Sequence, residues 1–144
     1  MPYLNLKLSV PESVDTTKKA AAVLTQITAE VLGKSQELTA VVVEYVQPQN
    51  WFVAGASLLE KGSTSMYLDI KITEGTNTKD EKAYFVAKVF SSLEAIVGPL
   101  AMASYVVIHD VRADSWGNQG ETKEYRYIQG AQVQSRDSAD KPSR

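Results

Sequence analysis

Leucines alternate with polar or aromatic residues over Tyr3-Leu4-Asn5-Leu6-Lys7-Leu8, so Leu4, Leu6 and Leu8 share one face and Tyr3, Asn5 and Lys7 the other. That period of two predicts a strand. A helix is expected next, capped by Asp15 or Thr16, running to about Val31-Leu32 and stopped by Gly33. Its apolar stripe is Ala20, Leu24, Ile27, Thr28 and Val31. Residues 38–46, Leu-Thr-Ala-Val-Val-Val-Glu-Tyr-Val, are almost continuously apolar and predict a strand covered on both faces. A turn rich in aromatic residues, Gln47 to Leu59, follows and completes one β-α-β unit.

The pattern then repeats. Met66-Tyr67-Leu68-Asp69-Ile70-Lys71-Ile72 matches Pro2 to Leu8 at an offset of 64, pairing Tyr3 with Tyr67, Asn5 with Asp69 and Lys7 with Lys71. Thr78-Lys79-Asp80-Glu81 reads as a capping box for a second helix whose stripe is Ala83, Val86, Val89, Phe90 and Leu93, with Gly98 and Pro99 as the stop. Residues 103–111 repeat the buried strand, and the turn around Trp116 echoes that around Trp51. The expected fold class is α+β: one domain over residues 1–128 built of pseudo-repeats at about 2–58 and 65–128, followed by a polar tail over 129–144. Two such units give a four-stranded mixed sheet with both helices on one face. Asn5, Lys7, Asp69 and Lys71 then lie on the other face, too polar for a dry core. Closure of open sheet edges by identical chains around an inner barrel is the expected remedy.

Composition narrows the function. The 144 residues carry 15 basic and 17 acidic side chains, a net charge of −2, which leaves no surplus for a nucleic-acid backbone. No run of 18 apolar residues and no basic-then-apolar leader is present, so no membrane role and a cytoplasmic location are expected. There is no cysteine and one histidine, which excludes thiol catalysis and ordinary zinc or Ser-His sites; no metal or cofactor is expected. His109 sits beside Asp110, but neighbours in a strand point to opposite faces and cannot form a simple dyad, so His109 is read as structural.

Four segments together resemble the tautomerase superfamily: Met-Pro-Tyr-Leu at the start, Gly33-Lys34 after the first helix, Ile72-Thr73-Glu74-Gly75 with Lys79 to Lys82 in the second unit, and Ser115-Trp116-Gly117-Asn118-Gln119-Gly120. The likeness covers residues 2 to about 127, and its tandem organisation resembles the macrophage migration inhibitory factor and malonate semialdehyde decarboxylase branches. The resemblance implies a homotrimer with sites between subunits and an amino-terminal proline as catalytic base. Pro2 fills that role only once Met1 is removed, because an acylated proline nitrogen has no basic lone pair. The strand itself does not require proline there: its repeat mate is Met66.

A keto-enol tautomerase moves a proton between carbon and oxygen, so it needs a base of near-neutral basicity and a cation for the carboxylate or enolate. Burial and a nearby cation both lower an amine's pKa. By resemblance Lys34 supplies that cation, Tyr105 contacts substrate in a neighbouring subunit's site, and Trp116 walls the pocket. Two departures matter. The asparagine expected two residues after the tyrosine is Val107, and no arginine occurs over residues 72–77, which weakens hydration or decarboxylation chemistry. Lys7 and Lys71 are assigned to the barrel surface and Trp51 to an interface plug. The leading expectation is a cofactor-independent tautomerase of a phenylpyruvate-like 2-oxo acid. The alternatives are a binding or signalling protein with vestigial activity, and a promiscuous hydratase or dehalogenase.

Overall fold

The computed structural model describes residues 2–130. Strand β1 (Tyr3–Leu8) leads into helix α1 (Val14–Leu32), then strand β2 (Ala40–Tyr45), a short hairpin of β3 (Phe52–Val53) and β4 (Ala56–Ser57), and one helical turn, α2 (Leu58–Lys61). The second unit repeats this order: β5 (Met66–Thr73), α3 (Lys79–Val97), β6 (Tyr105–Val111), and a hairpin of β7 (Gly117–Asn118) and β8 (Glu121–Thr122). Residues 123–130 then form a helix, so the polar stretch from Gln129 begins inside regular structure. The rest of that stretch, with Met1, lies outside the described residues.

The four long strands form a mixed sheet in the order β2-β1-β5-β6. The two crossover pairs are parallel and the central β1–β5 pair is antiparallel, with Asn5 opposite Asp69 at its middle. Leu4, Leu6, Leu8, Met66, Leu68, Ile70 and Ile72 are fully buried on the helix-bearing face, packed with Leu24, Ile27, Phe85, Val89 and Leu93. Each such side chain contributes about 1.5–3 kcal/mol by leaving water.

Three local expectations change. Ser13, not Asp15 or Thr16, caps α1: its hydroxyl accepts from the Thr16 amide at 3.3 Å, while the extended backbone at Ser13 starts the helix two to three residues earlier. The second helix buries Phe85, Val89 and Leu93 and leaves Ala83 exposed. Thr78 fixes the start of α3 through a reciprocal box with Glu81, and the phase from that start turns Phe85 inward. β2 is an edge strand with Ala40, Val42 and Glu44 exposed in the single chain, because α1 packs on its other side and nothing among the described residues covers this one.

The repeat survives in detail. The Leu58 amide donates to the Trp51 carbonyl at 2.9 Å, and the Lys123 amide to the Trp116 carbonyl at 3.0 Å. Each hairpin turns through a left-handed pair, Ala54-Gly55 and Gln119-Gly120.

Candidate functional site at the Pro2 end of the sheet

Pro2 is buried, and its carbonyl accepts from the Ala40 amide at 3.2 Å. It therefore lies where β1 and β2 begin and where β5 and β6 end. The turn leaving β5 is held there by the Glu74 amide, which donates to the Val111 carbonyl at 2.8 Å. The left-handed cap Gly33 (φ 68°) ends α1 and turns the chain into the loop that carries Lys34 to the same end.

The Lys34 ammonium donates to the Thr76 hydroxyl at 2.7 Å. Burial lowers its pKa below the ordinary lysine value, and the carboxylates of Glu81 and Asp110 partly oppose that shift. Asp110 is itself bound by Lys82 from the first turn of α3, at 2.5 Å. Lys34 thus has a neutral partner in direct contact, whereas Lys82 has an anionic one.

Trp116 reaches the same place: its indole N–H donates to the Thr73 hydroxyl at 3.2 Å. A shallow groove beside it is lined by Asp114, Ser115, Trp116, Gly117, Gly120, Glu121 and Thr122. A second, lined by Glu74, Arg112, Ala113, Asp114 and Glu124, runs alongside. Although residues 72–77 lack arginine, the fold brings Arg112 and Arg126 to this end. Arg112 forks onto Asp114 at 3.2 and 3.1 Å, and Arg126 donates to the Asn118 carbonyl at 3.1 Å and lies 3.6 Å from Glu121. The Ser115 hydroxyl and then Arg112 hold the Asp114 carboxyl below its usual range.

Of the four residues singled out in the sequence, Pro2, Lys34 and Trp116 lie at the same end of the sheet, Lys34 and Trp116 on the Thr73–Thr76 turn, and Tyr105 does not. Tyr105 pairs with Tyr67, which pairs with Lys7, so it stands about five residues, or roughly 17 Å, along the sheet from Pro2. It is exposed on the open face, and any part it plays at a Pro2 site must be in another copy.

His109 contacts Asp69, its diagonal neighbour on the open face, while Asp110 pairs with Lys82 on the helix side. The His-Asp partnership that forms is cross-strand, not sequential. Trp51 lines a groove with Lys7, Val46, Asn50, Phe52, Tyr67 and Asp69 at the opposite end. Sequence reading missed Thr73, Thr76, Asn77 and Lys82. The one available signal was the pair of threonines three apart across Glu74-Gly75, a turn pattern directly after a strand.

The opposite end of the sheet holds the repeat mates of the Pro2 site and is built differently. Met66 replaces Pro2, Pro99 stands where Lys34 would fall, and buried Ser9, Ser65 and Ser104 interlock. The Ser65 amide donates to the Ser9 hydroxyl at 2.9 Å, and the Ser65 hydroxyl donates to the Ala103 carbonyl at 3.0 Å and lies 3.1 Å from that of Ser104. Among the described residues no cluster of His, Asp or Glu is arranged to hold a metal ion, and no helix is long and apolar enough to cross a membrane.

Two tandem β-α-β units with their helices on one side, and Pro2, Lys34 and Trp116 at one end, define a tautomerase-type fold. The family model described as Tautomerase enzyme matches the chain twice, over residues 2–61 and 67–126, in step with the repeat. The protein belongs to the tautomerase family. Over 62 residues it is 29% identical to Probable tautomerase K2 of Dickeya dadantii (strain 3937), an alignment spanning 42% of this chain and 92% of that one. Its fold is similar to that of a fused 4-OT wild-type symmetric trimer, with a TM-score of 0.75 at 15% identity over 85% of this chain and 96% of the other. A macrophage migration inhibitory factor-like protein from Entamoeba histolytica gives 0.70 at 21% identity, over 84% and 97%.

Proposed function

We propose that the protein is a cytoplasmic, cofactor-independent keto-enol tautomerase of a phenylpyruvate-like 2-oxo acid, with the Pro2 amine as general base after removal of Met1. The observation that carries this reading is the placement of Pro2 and a partly desolvated Lys34 at the same end of the sheet, where their repeat mates at the opposite end are Met66 and Pro99. The buried position of Pro2 disfavours a protonated amine, and the Lys34 charge disfavours it further, which favours a free base near neutral pH. The amine takes the proton from the carbon next to the 2-oxo group. Charge then grows on the enolate oxygen, and Lys34 stabilises it together with the substrate carboxylate. The protonated amine then gives that proton to the enolate oxygen, which completes the enol and restores the free base, and the reverse direction carries the proton back from oxygen to carbon. Trp116 covers the apolar part of the substrate and excludes water, which strengthens the lysine's attraction.

Assembly as a homotrimer completes the proposal. One structural neighbour is described as a symmetric trimer. The open face carries Asn5, Lys7, Asp69, Lys71 and the His109–Asp69 contact, a polar lining suited to a shared interior. Closure would carry the exposed Tyr105 of one copy toward the Pro2 end of the next.

The test has two stages. Intact mass must show loss of Met1, and the purified protein must interconvert enol and keto forms of a panel of 2-oxo acids. Pro2→Ala should then lose about 10²–10⁴-fold in kcat/KM, the usual contribution of a positioned general base. Unchanged turnover in Pro2→Ala would overturn the catalytic reading. Absence of turnover in the wild-type protein would favour a binding role.

A further inference from the structure

We infer that the turn Thr73–Thr76 is a positioning device for this site, in which the Thr76 hydroxyl fixes the Lys34 ammonium and the Thr73 hydroxyl fixes the Trp116 indole. The inference rests on the function proposed above and adds to it the residues that set the geometry. Thr76 Oγ1 donates its single proton to the Thr73 carbonyl at 2.6 Å and accepts from Lys34 Nζ at 2.7 Å. Because the donor is committed to that carbonyl, the oxygen lone pairs are left facing the ammonium. The Thr73 side chain of the same turn accepts from Trp116 at 3.2 Å.

Both ends of Lys34 are tied to this segment. Asn77 Nδ2 donates to the Leu32 carbonyl at 2.9 Å, two residues ahead of Lys34, so the backbone that carries the lysine is held next to the turn that receives its head. The turn in turn is pinned to β6 through Glu74 and Val111, and bends through Gly75 at φ 77°. A long lysine side chain ordinarily gives up much rotamer freedom to hold one pose. Here the pose is fixed before any substrate arrives.

The chemistry of the anchor matters as much as its place. A carboxylate at residue 76 would orient Lys34 and also neutralise it, as Asp110 does for Lys82. A hydroxyl orients the ammonium and leaves its charge for an incoming anion.

The experiment compares Thr76→Val, Thr76→Ser and Thr76→Asp with the wild-type protein. The reactivity of Lys34 toward an acetyl N-hydroxysuccinimide ester is read by peptide mass spectrometry against exposed Lys18. Loss of one charge-assisted bond should speed Lys34 acylation by about threefold or more in Thr76→Val, while Thr76→Ser stays within about twofold of wild type. With a 2-oxo acid substrate, Thr76→Val should lose about tenfold in kcat/KM, mainly through KM, and Thr76→Asp more, with Thr76→Ser restored. Thr73→Val should shift the Trp116 indole proton resonance, a signal that needs no turnover. Unchanged Lys34 acylation in Thr76→Val, an unmoved indole resonance in Thr73→Val, or a Thr76→Ser protein as impaired as Thr76→Val would each overturn the inference. If the wild-type protein has no turnover but acylation and the indole respond as stated, the positioning role stands and the proposed reaction falls.

Discussion

Replacing Ser65 by alanine probes how the end of the sheet opposite Pro2 is held together. Ser65 is fully buried. Its hydroxyl donates to the Ala103 carbonyl at 3.0 Å and meets that of Ser104 at 3.1 Å, and its backbone N–H and C=O both bond to Ser9. The backbone bonds survive the substitution, whereas the side-chain bond to Ala103 does not. A net hydrogen bond of about 1 kcal/mol is lost, and part of the further 1–3 kcal/mol cost of an unpaired acceptor is added. Ser104 can turn toward the Met66 amide, 3.4 Å away, so its own loss is small. The expected destabilisation is about 2 kcal/mol, or a fall in Tm of roughly 4–8 °C for a chain of this size. Urea and thermal unfolding measure it, at fixed protomer concentration because assembly would contribute by mass action. Exposed Ser91→Ala is the control and should stay within about 0.5 kcal/mol of wild type. A Ser65→Ala protein as stable as that control would refute the idea that the serine cluster holds the strand ends together here.

Other outcomes follow from single features. In Lys34→Met, a half-buried ammonium whose pKa burial has lowered is removed. Between that lowered value and the ordinary 10.5 the native state binds fewer protons than the unfolded chain, so wild-type stability gains on the variant as pH rises through this window. At pH 7 the variant should therefore equal or exceed wild type in urea midpoint, by under about 1 kcal/mol because solvent still screens the half-buried group, with the gap closing above pH 10. A variant less stable at pH 7 by a pH-independent amount would contradict this. Thr78→Ala removes the capping box of α3 and should cost about 1 kcal/mol, read from denaturant midpoints. Phe85→Ala, which empties a fully buried position, should cost about 3–5 kcal/mol by the same measurement.

The fold was legible because its signals are local and occur twice. Six positions of alternation in β1 and β5 specify which face is buried, and the offset of 64 relates Pro2 to Met66, and also Thr73 to Ser9. The site was legible only in part. Pro2, Lys34 and Trp116 stand beside readable punctuation: a strand start, the glycine ending α1, and a hairpin turn. Thr76 shares a turn pattern with Thr73 across Glu74-Gly75, but that pattern names no partner for Thr76 or Asn77, whose partners lie 42 and 45 residues away. The capping of α1 was misplaced because Ser13, Asp15 and Thr16 all have capping side chains, and only the backbone chooses among them.

The sequence by itself determined the two β-α-β units, the polarity of the open face and the absence of thiol chemistry, since each depends on residue identity and short-range period alone. Tertiary structure decided which polar side chains meet. It joined His109 to Asp69 rather than Asp110, gave Asp110 to Lys82, and placed Lys34 against a neutral hydroxyl. Those pairings depend on strand register and on how each helix end docks against the exit of a neighbouring strand. A shift of one residue would send every such side chain to the opposite face.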